Sequence, residues 1–199
     1  MNKTRIRTKL EIADRKKIFF KIINILEKQK IFFFIQGGVL LGARREKNFI
    51  RWDWDIEISV FADDLLKKLD YIIKILQEKN FVIKKINRTM FTPKIQFIMP
   101  GHKATSFSII GWKYNFFKKA YTRRKLNIPS KFMKRKTKIN FFKKKLNCPN
   151  PIDKYLEYQY GNWKKPIRSS DKKKYLTKNF YSVKNYTFFD LLDIFMNFI

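Results

Sequence analysis

An α+β fold, a mixed β-sheet with flanking helices and a small C-terminal helical extension, is predicted by three features of this chain. Helical and strand-like apolar patterns alternate over its first 112 residues. Hydrophobic residues make up 45% of its 199 residues, enough for one core. Turn residues fall between the patterns, at Gly37–Gly38, Pro93 and Pro100–Gly101.

The elements follow in order. Ile12, Ile18, Phe19, Ile22, Ile23, Ile25 and Leu26 repeat at near-helical spacing, predicting an amphipathic helix over 11–29. Residues 31–36 (IFFFIQ) read as a buried strand, which Gly37 and Gly38 end before a short helix, VLLGARR. Residues 46–52 read as a loop, and 54–61 (WDIEISVF) as a half-buried strand. Asp63 or Asp64 is placed to cap a helix reaching about Lys79, with Leu65, Leu66, Leu69, Ile72, Ile73 and Leu76 inward. Strands are expected at 81–86, 94–99 and 105–112. From 113 to 145 the chain is rich in Lys and Arg, and loops with short helices are expected there. Residues 152–161 read as a short helix stopped by Gly161. The expected organisation is a core over 1–112 and a basic helical and loop extension over 113–199 that completes the same domain. The apolar stretch 188–199 is too short to span a membrane and reads as a docked terminal helix or one lying on a surface.

The formal net charge of +30 points to an anionic partner, such as nucleic acid, an acidic membrane surface or a phosphate-bearing substrate. A compositional drift toward Lys, Asn, Ile and Phe would raise the charge equally well. A single cysteine, Cys148, excludes an internal disulfide and a Cys-based zinc site. It fits a reducing compartment, and the expected location is cytoplasmic, including at a membrane surface. The lone histidine, His102, reads as a surface residue.

The chemistry concentrates between Gly37 and Ile58, in GGVLLGARREKNFIRWDWDIEI. Asp53, Asp55 and Glu57 alternate strictly, so a strand would set their carboxylates in one row. Such a row needs a cation to remain ionised, and a hard divalent ion with oxygen ligands suits it. The Gly37–Gly38 turn frees backbone N–H groups at a helix start, which suits phosphate, and equally makes a tight strand-to-helix bend. Arg45 is suited to clamping a phosphate or pairing with Asp53, and Trp52 to packing or to stacking on a base. The roles open to Asp53 are metal binding, orientation of Arg45 and activation of an acceptor hydroxyl.

This segment resembles the signature of the LicD/fukutin family, a branch of the nucleotidyltransferase-fold superfamily. Gly37, Gly38, Leu40, Leu41, Gly42, Ala43, Arg45, Phe49, Ile50, Trp52, Asp53 and Asp55 fall on matching positions, and Glu57 replaces the usual final Asp. A second segment, YLEYQYGNWKKP (155–166), resembles the family's later Tyr-Gly-x-Trp-x-x-Pro signature, with Tyr160, Gly161 and Trp163 expected to form a corner near the cleft. The resemblance implies a nucleotidyltransferase-like sheet and transfer of a phospho-alcohol group, of phosphocholine or ribitol phosphate type, from a CDP-activated donor to a glycan hydroxyl, as in lipopolysaccharide biosynthesis. It implies Mg2+ or Mn2+ on Asp53, Asp55 and Glu57, which would be the catalytic set, and substrate binding by Gly37, Gly38, Gly42, Arg45 and Trp52. Relatives of this fold often carry a further acid on a later strand, near Ser108 here, yet the chain has no Asp or Glu between Glu78 and Asp153. Two other functions compete: a nucleotidyltransferase acting on RNA or a small molecule, and a basic binding protein without catalysis.

Overall fold

The computed structural model describes residues 5–101, 105–135 and 137–181. His102 and the stretch 188–199 lie outside them. Helix α1 (Lys9–Lys28) starts from Thr8 in a capping box: the Thr8 hydroxyl accepts from the Glu11 N–H and the Glu11 carboxylate accepts from the Thr8 N–H. Its buried face carries Ile12, Ile18, Phe19, Ile22, Ile23 and Leu26. Strand β1 is only Phe33–Phe34, shorter than the apolar run suggests, because Gln36 already caps helix α2 (Gly37–Arg45).

Strand β2 (Asp55–Phe61) is followed by two helices, α3 (Ala62–Lys67) and α4 (Leu69–Glu78), where one was expected. The helix breaks at Lys68, whose ammonium donates to the Gln29 carbonyl at the end of α1. Neither Asp63 nor Asp64 caps. The helix already begins at Ala62, both acids fall in its first turn, and Asp63 instead pairs with Lys113 at 2.6 Å. Acids in that position still favour the N-terminal end of the helix dipole.

Strands β3 (Val82–Asn87), β4 (Lys94–Ile98) and β5 (Ser106–Asn115) complete a sheet of order β1-β2-β5-β4-β3. The β2–β5 pair is parallel and the other pairs are antiparallel, so the sheet is mixed. One face presents Ile56, Ile58, Val60, Ile95, Phe97, Phe107 and Ile109 to the core. The opposite face is polar: Asp55 and Glu57 on β2, Ser106 and Ser108 on β5, and Lys94 and Gln96 on β4, in register.

The basic stretch after Lys113, where loops and short helices were expected, forms mostly strands with one short helical turn at Ser130–Phe132. β6 (Ala120–Arg123) and β7 (Leu126–Pro129) prolong the sheet from the end of β5, and β8 (Thr137–Phe141) and β9 (Lys144–Cys148) make a separate hairpin. Their turns place Lys119, Arg124, Phe142 and Lys143 at φ between 46° and 68°. Glycine and asparagine ordinarily occupy that left-handed region in tight turns, so the usual turn signal is missing from the sequence. The hairpins join the common core: Phe141 packs edge-on against Phe19 of α1 and Phe49, and the Ile35 N–H donates to the Asn147 carbonyl at 2.8 Å. Helix α5 (Ile152–Tyr160) ends at Gly161, at φ 65°. Its Tyr155 hydroxyl donates to Gln36 Oε1 at 3.2 Å, tying α5 to the residue that caps α2. Among the described residues, no helix is long and apolar enough to cross a membrane.

Candidate active site

Sheet and helices leave a cleft of about 380 Å³ at the start of α2 and β2. Asp53, Asp55, Glu57, Gly37, Gly38, Arg45 and Trp52 all line it, so one local segment supplies most of its wall. The β2 alternation puts Asp55 and Glu57 on the cleft side, while Ile56 and Ile58 turn into the core. Ser59, next in the row, is buried and accepts from Trp112 Nε1 at 3.0 Å, so the polar row closes there.

Gly37 has φ 60°, and a side chain there would be strained. A β-carbon on Gly38 would fall 2.0 Å from Asp53 Oδ2, so the missing side chain is what lets that carboxylate lie against the helix start. Gly42 does not line the cleft. Its absent β-carbon would meet the Asn48 carbonyl at 2.4 Å, and its own carbonyl accepts from the Glu46 and Asn48 N–H groups. Gly42 therefore lets the 46–50 loop fold over α2, and the expectation that it contacts substrate is corrected to a packing role.

Arg45 pairs with Glu46 at 2.7 Å and donates to the Trp163 carbonyl at 3.1 Å, not to Asp53. That pairing turns its guanidinium along the cleft wall and draws in the corner after α5. Tyr160 and Trp163 of this corner line the cleft, as do Lys172 and Tyr175. Trp52 is half-buried, packing on the core while facing the cleft.

The acids strain one another. Burial pushes Asp53 up to about 6, aided by Glu57 and opposed by Arg15 and Arg7. Asp55 is raised well above the carboxylate range, by burial first and then by repulsion from Glu57 and Asp53, with Lys94 and Lys172 offsetting part. Burial also raises Tyr175 to about 12, with the three acids adding to it. Among the described residues, no three His, Cys, Asp or Glu side chains stand ready-grouped as a metal centre. Asp55 and Glu57 line the cleft from one face of β2, and such a pair fits Mg2+, which takes one or two carboxylates and fills its octahedron with water and substrate phosphate oxygens.

Three cationic residues behind these acids were not singled out from the sequence. Arg7 and Arg15, both buried, lie close enough to draw on Asp53, and Arg15 Nε donates to Thr105 Oγ1 at 2.5 Å. Arg7 joins the loop before β2: its N–H donates to the Arg51 carbonyl at 2.9 Å, and Arg51 returns bonds to the Arg7 carbonyl at 3.2 Å. Lys94 Nζ sits 3.8 Å from Glu57 Oε1. Burial depresses the Lys94 ammonium and Glu57 counteracts it. The lack of an acid near Ser108 is now explicit. Ser108 is the register partner of Glu57, it is buried, and its hydroxyl has no hydrogen-bond partner among the described residues. A signal for Arg7 and Arg15 was present in the sequence, as two arginines eight apart among the apolar positions of α1 and its approach, but charge alone does not mark a residue as buried.

A mixed sheet with paired acids beside a Gly-Gly helix start is the architecture of a nucleotidyltransferase-like domain. The chain belongs to the LicD/FKTN/FKRP nucleotidyltransferase-domain family, whose model matches residues 30–151. It is 32% identical over 44 residues to the ribitol 5-phosphate transferase FKRP of Homo sapiens, covering 22% of this chain and 9% of that protein. FKRP of Mus musculus matches to the same extent. Over 66 residues it is 32% identical to the lipopolysaccharide cholinephosphotransferase LicD of Haemophilus influenzae, covering 31% of this chain and 25% of that one. The matches thus span a quarter or less of these relatives' lengths. Among solved structures, the lincomycin-bound lincosamide antibiotic adenylyltransferase LnuA is similar at a TM-score of 0.49 and 15% identity, over 96% of each chain. A likeness at that level does not bear on activity.

Proposed function

We propose that this chain transfers a phospho-alcohol group from a CDP-activated alcohol to a glycan hydroxyl, dependent on Mg2+ or Mn2+. The observation that carries the reading is the meeting of Asp53, Asp55 and Glu57 with the Gly37–Gly38 helix start in one cleft. An anionic diphosphate alone would be repelled by three carboxylates. Asp55 and Glu57 are the residues to hold the divalent ion, which when bound would neutralise the diphosphate and stabilise charge on the attacking and leaving oxygens.

The chain's own groups supply the rest. The α2 start faces the cleft with its backbone N–H groups and the positive end of its dipole, suited to a phosphate oxygen. Lys172 also lines the cleft and adds a cation that acts on Asp55. Trp52 and Tyr160 offer apolar faces for the base or the alcohol. The acceptor hydroxyl attacks phosphorus, the bond to the CMP oxygen breaks, and CMP leaves. Asp53, raised to about 6, is suited to take the hydroxyl proton near neutral pH.

A thermal-shift panel of CDP-choline, CDP-ribitol, CTP, ATP and a UDP-sugar, with and without Mg2+ or Mn2+, tests this reading. A ligand that binds only the folded state raises the melting point by mass action. A metal-dependent rise with a CDP-alcohol, lost in Asp55→Ala, is expected, together with a drop in turnover of about a hundredfold or more. A rise with ATP alone, or wild-type turnover by Asp55→Ala, would overturn it.

A further inference from the structure

We propose that the β5–β6 hairpin tip is an anchor that inserts into the interface of an anionic lipid bilayer. Phe116 and Phe117 form the outer corner of this turn and are 74% and 85% exposed, the latter the most exposed large hydrophobic side chain among the described residues. Single exposed apolar residues need no explanation, but two adjacent phenylalanines at the end of a projecting hairpin do.

The turn itself is closed and ordered. The Lys118 N–H donates to Asn115 Oδ1 at 2.9 Å, and the Lys119 N–H to the Phe116 carbonyl at 3.1 Å. Asn115 and Ala120 pair across its base. The rings are therefore held outward by main-chain bonding and meet edge to face, centroids 6.2 Å apart. Among the described residues, no protein surface covers them.

The surroundings match an acidic headgroup layer. Lys118 and Lys119 are exposed in the same turn. Ser130 donates its N–H to the Lys119 carbonyl, which brings the exposed Lys131 beside them. No Asp or Glu occurs between Glu78 and Asp153, and Asp63, which reaches the end of β5 from α3, is already paired with Lys113 at 2.6 Å. Tyr114, one step below the tip, is 44% exposed and packs on Tyr121 at 5.2 Å. Phenylalanine outermost, then lysine, then tyrosine is the order in which hydrocarbon, headgroups and interfacial water would be met. Adjacent lysines each strengthen attraction to an acidic leaflet, and apolar insertion adds to it. A nucleic-acid surface fits less well, since the crossed rings present no continuous stacking platform and the tip is convex.

Glu57 pairs with Ser108, eight residues before Phe116, which at strand rise puts the tip roughly 26 Å from the acids. The anchor and the transferase reading are therefore independent, and the failure of either leaves the other standing.

The test is co-sedimentation of the full chain with vesicles of phosphatidylcholine, alone and mixed with phosphatidylglycerol, at physiological salt. Wild type should sediment with the anionic vesicles and much less with the neutral ones. Phe116→Ser with Phe117→Ser should weaken the anionic partition by about tenfold or more, from the apolar area lost, with an unchanged melting point. Lys118→Glu with Lys119→Glu should weaken it comparably. Three outcomes would overturn the proposal: no binding to anionic vesicles, binding indifferent to the two phenylalanines, or a Phe-dependent preference for single-stranded polynucleotide over vesicles.

Discussion

Asp53→Asn should make the ligand-free protein more stable while disabling it. The carboxylate is pushed up to about 6 from an ordinary 3.8, a value that already sets the attraction of Arg15 and Arg7 against burial and the repulsion of Glu57. A difference of about 2 in pKa corresponds to roughly 3 kcal/mol, the cost of keeping Asp53 charged in the fold at neutral pH. Asp53 is half-buried and the amide has a burial cost of its own, so about half of that, roughly 1.5 kcal/mol, should be recovered. For a chain of this length that is a rise of about 3–6 °C in melting temperature. The sign is specific. Below 3.8 the acid is protonated in both states and exerts no penalty. Between 3.8 and about 6 the unfolded chain ionises first, so the penalty grows with pH, and above about 6 it is complete. The advantage of the asparagine variant should therefore widen from about pH 4 to about pH 6.5 and then level off. Thermal melts followed by circular dichroism across that range measure it. Turnover, where a CDP-alcohol substrate is found, should fall by about a hundredfold or more. A variant that melts below wild type at neutral pH, by a gap that does not change with pH, would refute the account of a strained carboxylate.

Four further outcomes follow from the packing. Gly38→Ala should cost at least tenfold in activity but little in melting temperature, because its β-carbon displaces a movable carboxylate; Gly42→Ala should cost about 2 kcal/mol or more of stability, because its β-carbon meets backbone. Urea melts and substrate binding on the two variants separate these effects. Cys148, raised by burial from 9.0 to about 12, should react with a thiol reagent about a thousandfold more slowly in the native chain than in urea, as read by timed labelling and mass spectrometry. Tyr155→Phe removes the bond to Gln36 and leaves that oxygen buried without its donor, so it should lower stability by about 1–3 kcal/mol in the same urea melts.

The site was largely legible because it is local. Gly37, Gly38 and the three acids lie within one short segment, and period-2 alternation alone places Asp55 and Glu57 on one face. What the spacing could not show was how each group is partnered. Arg45 chose its neighbour Glu46, and Gly42 proved to serve a loop closure, because both depend on how the 46–50 loop folds back. Arg7, Arg15 and Lys94 come from an N-terminal segment, α1 and β4, and only tertiary packing brings them to the acids. The sheet core was readable from apolar alternation. The hairpins after Lys113 were not, since the left-handed positions of their turns carry Lys, Arg and Phe instead of Gly or Asn and their lysines mask the alternation that Ile139, Phe141, Leu146 and Cys148 carry inward.

The left-handed bends at Lys30, Lys47 and Lys143 leave room for reinforcement. Each holds a β-carbon where a backbone without one would relax, so glycine at each should return a few tenths to about 1 kcal/mol. None of the three lines the cleft. A sturdier scaffold for crystallisation or substrate screening is thus reachable through three surface lysines, with the reaction centre untouched.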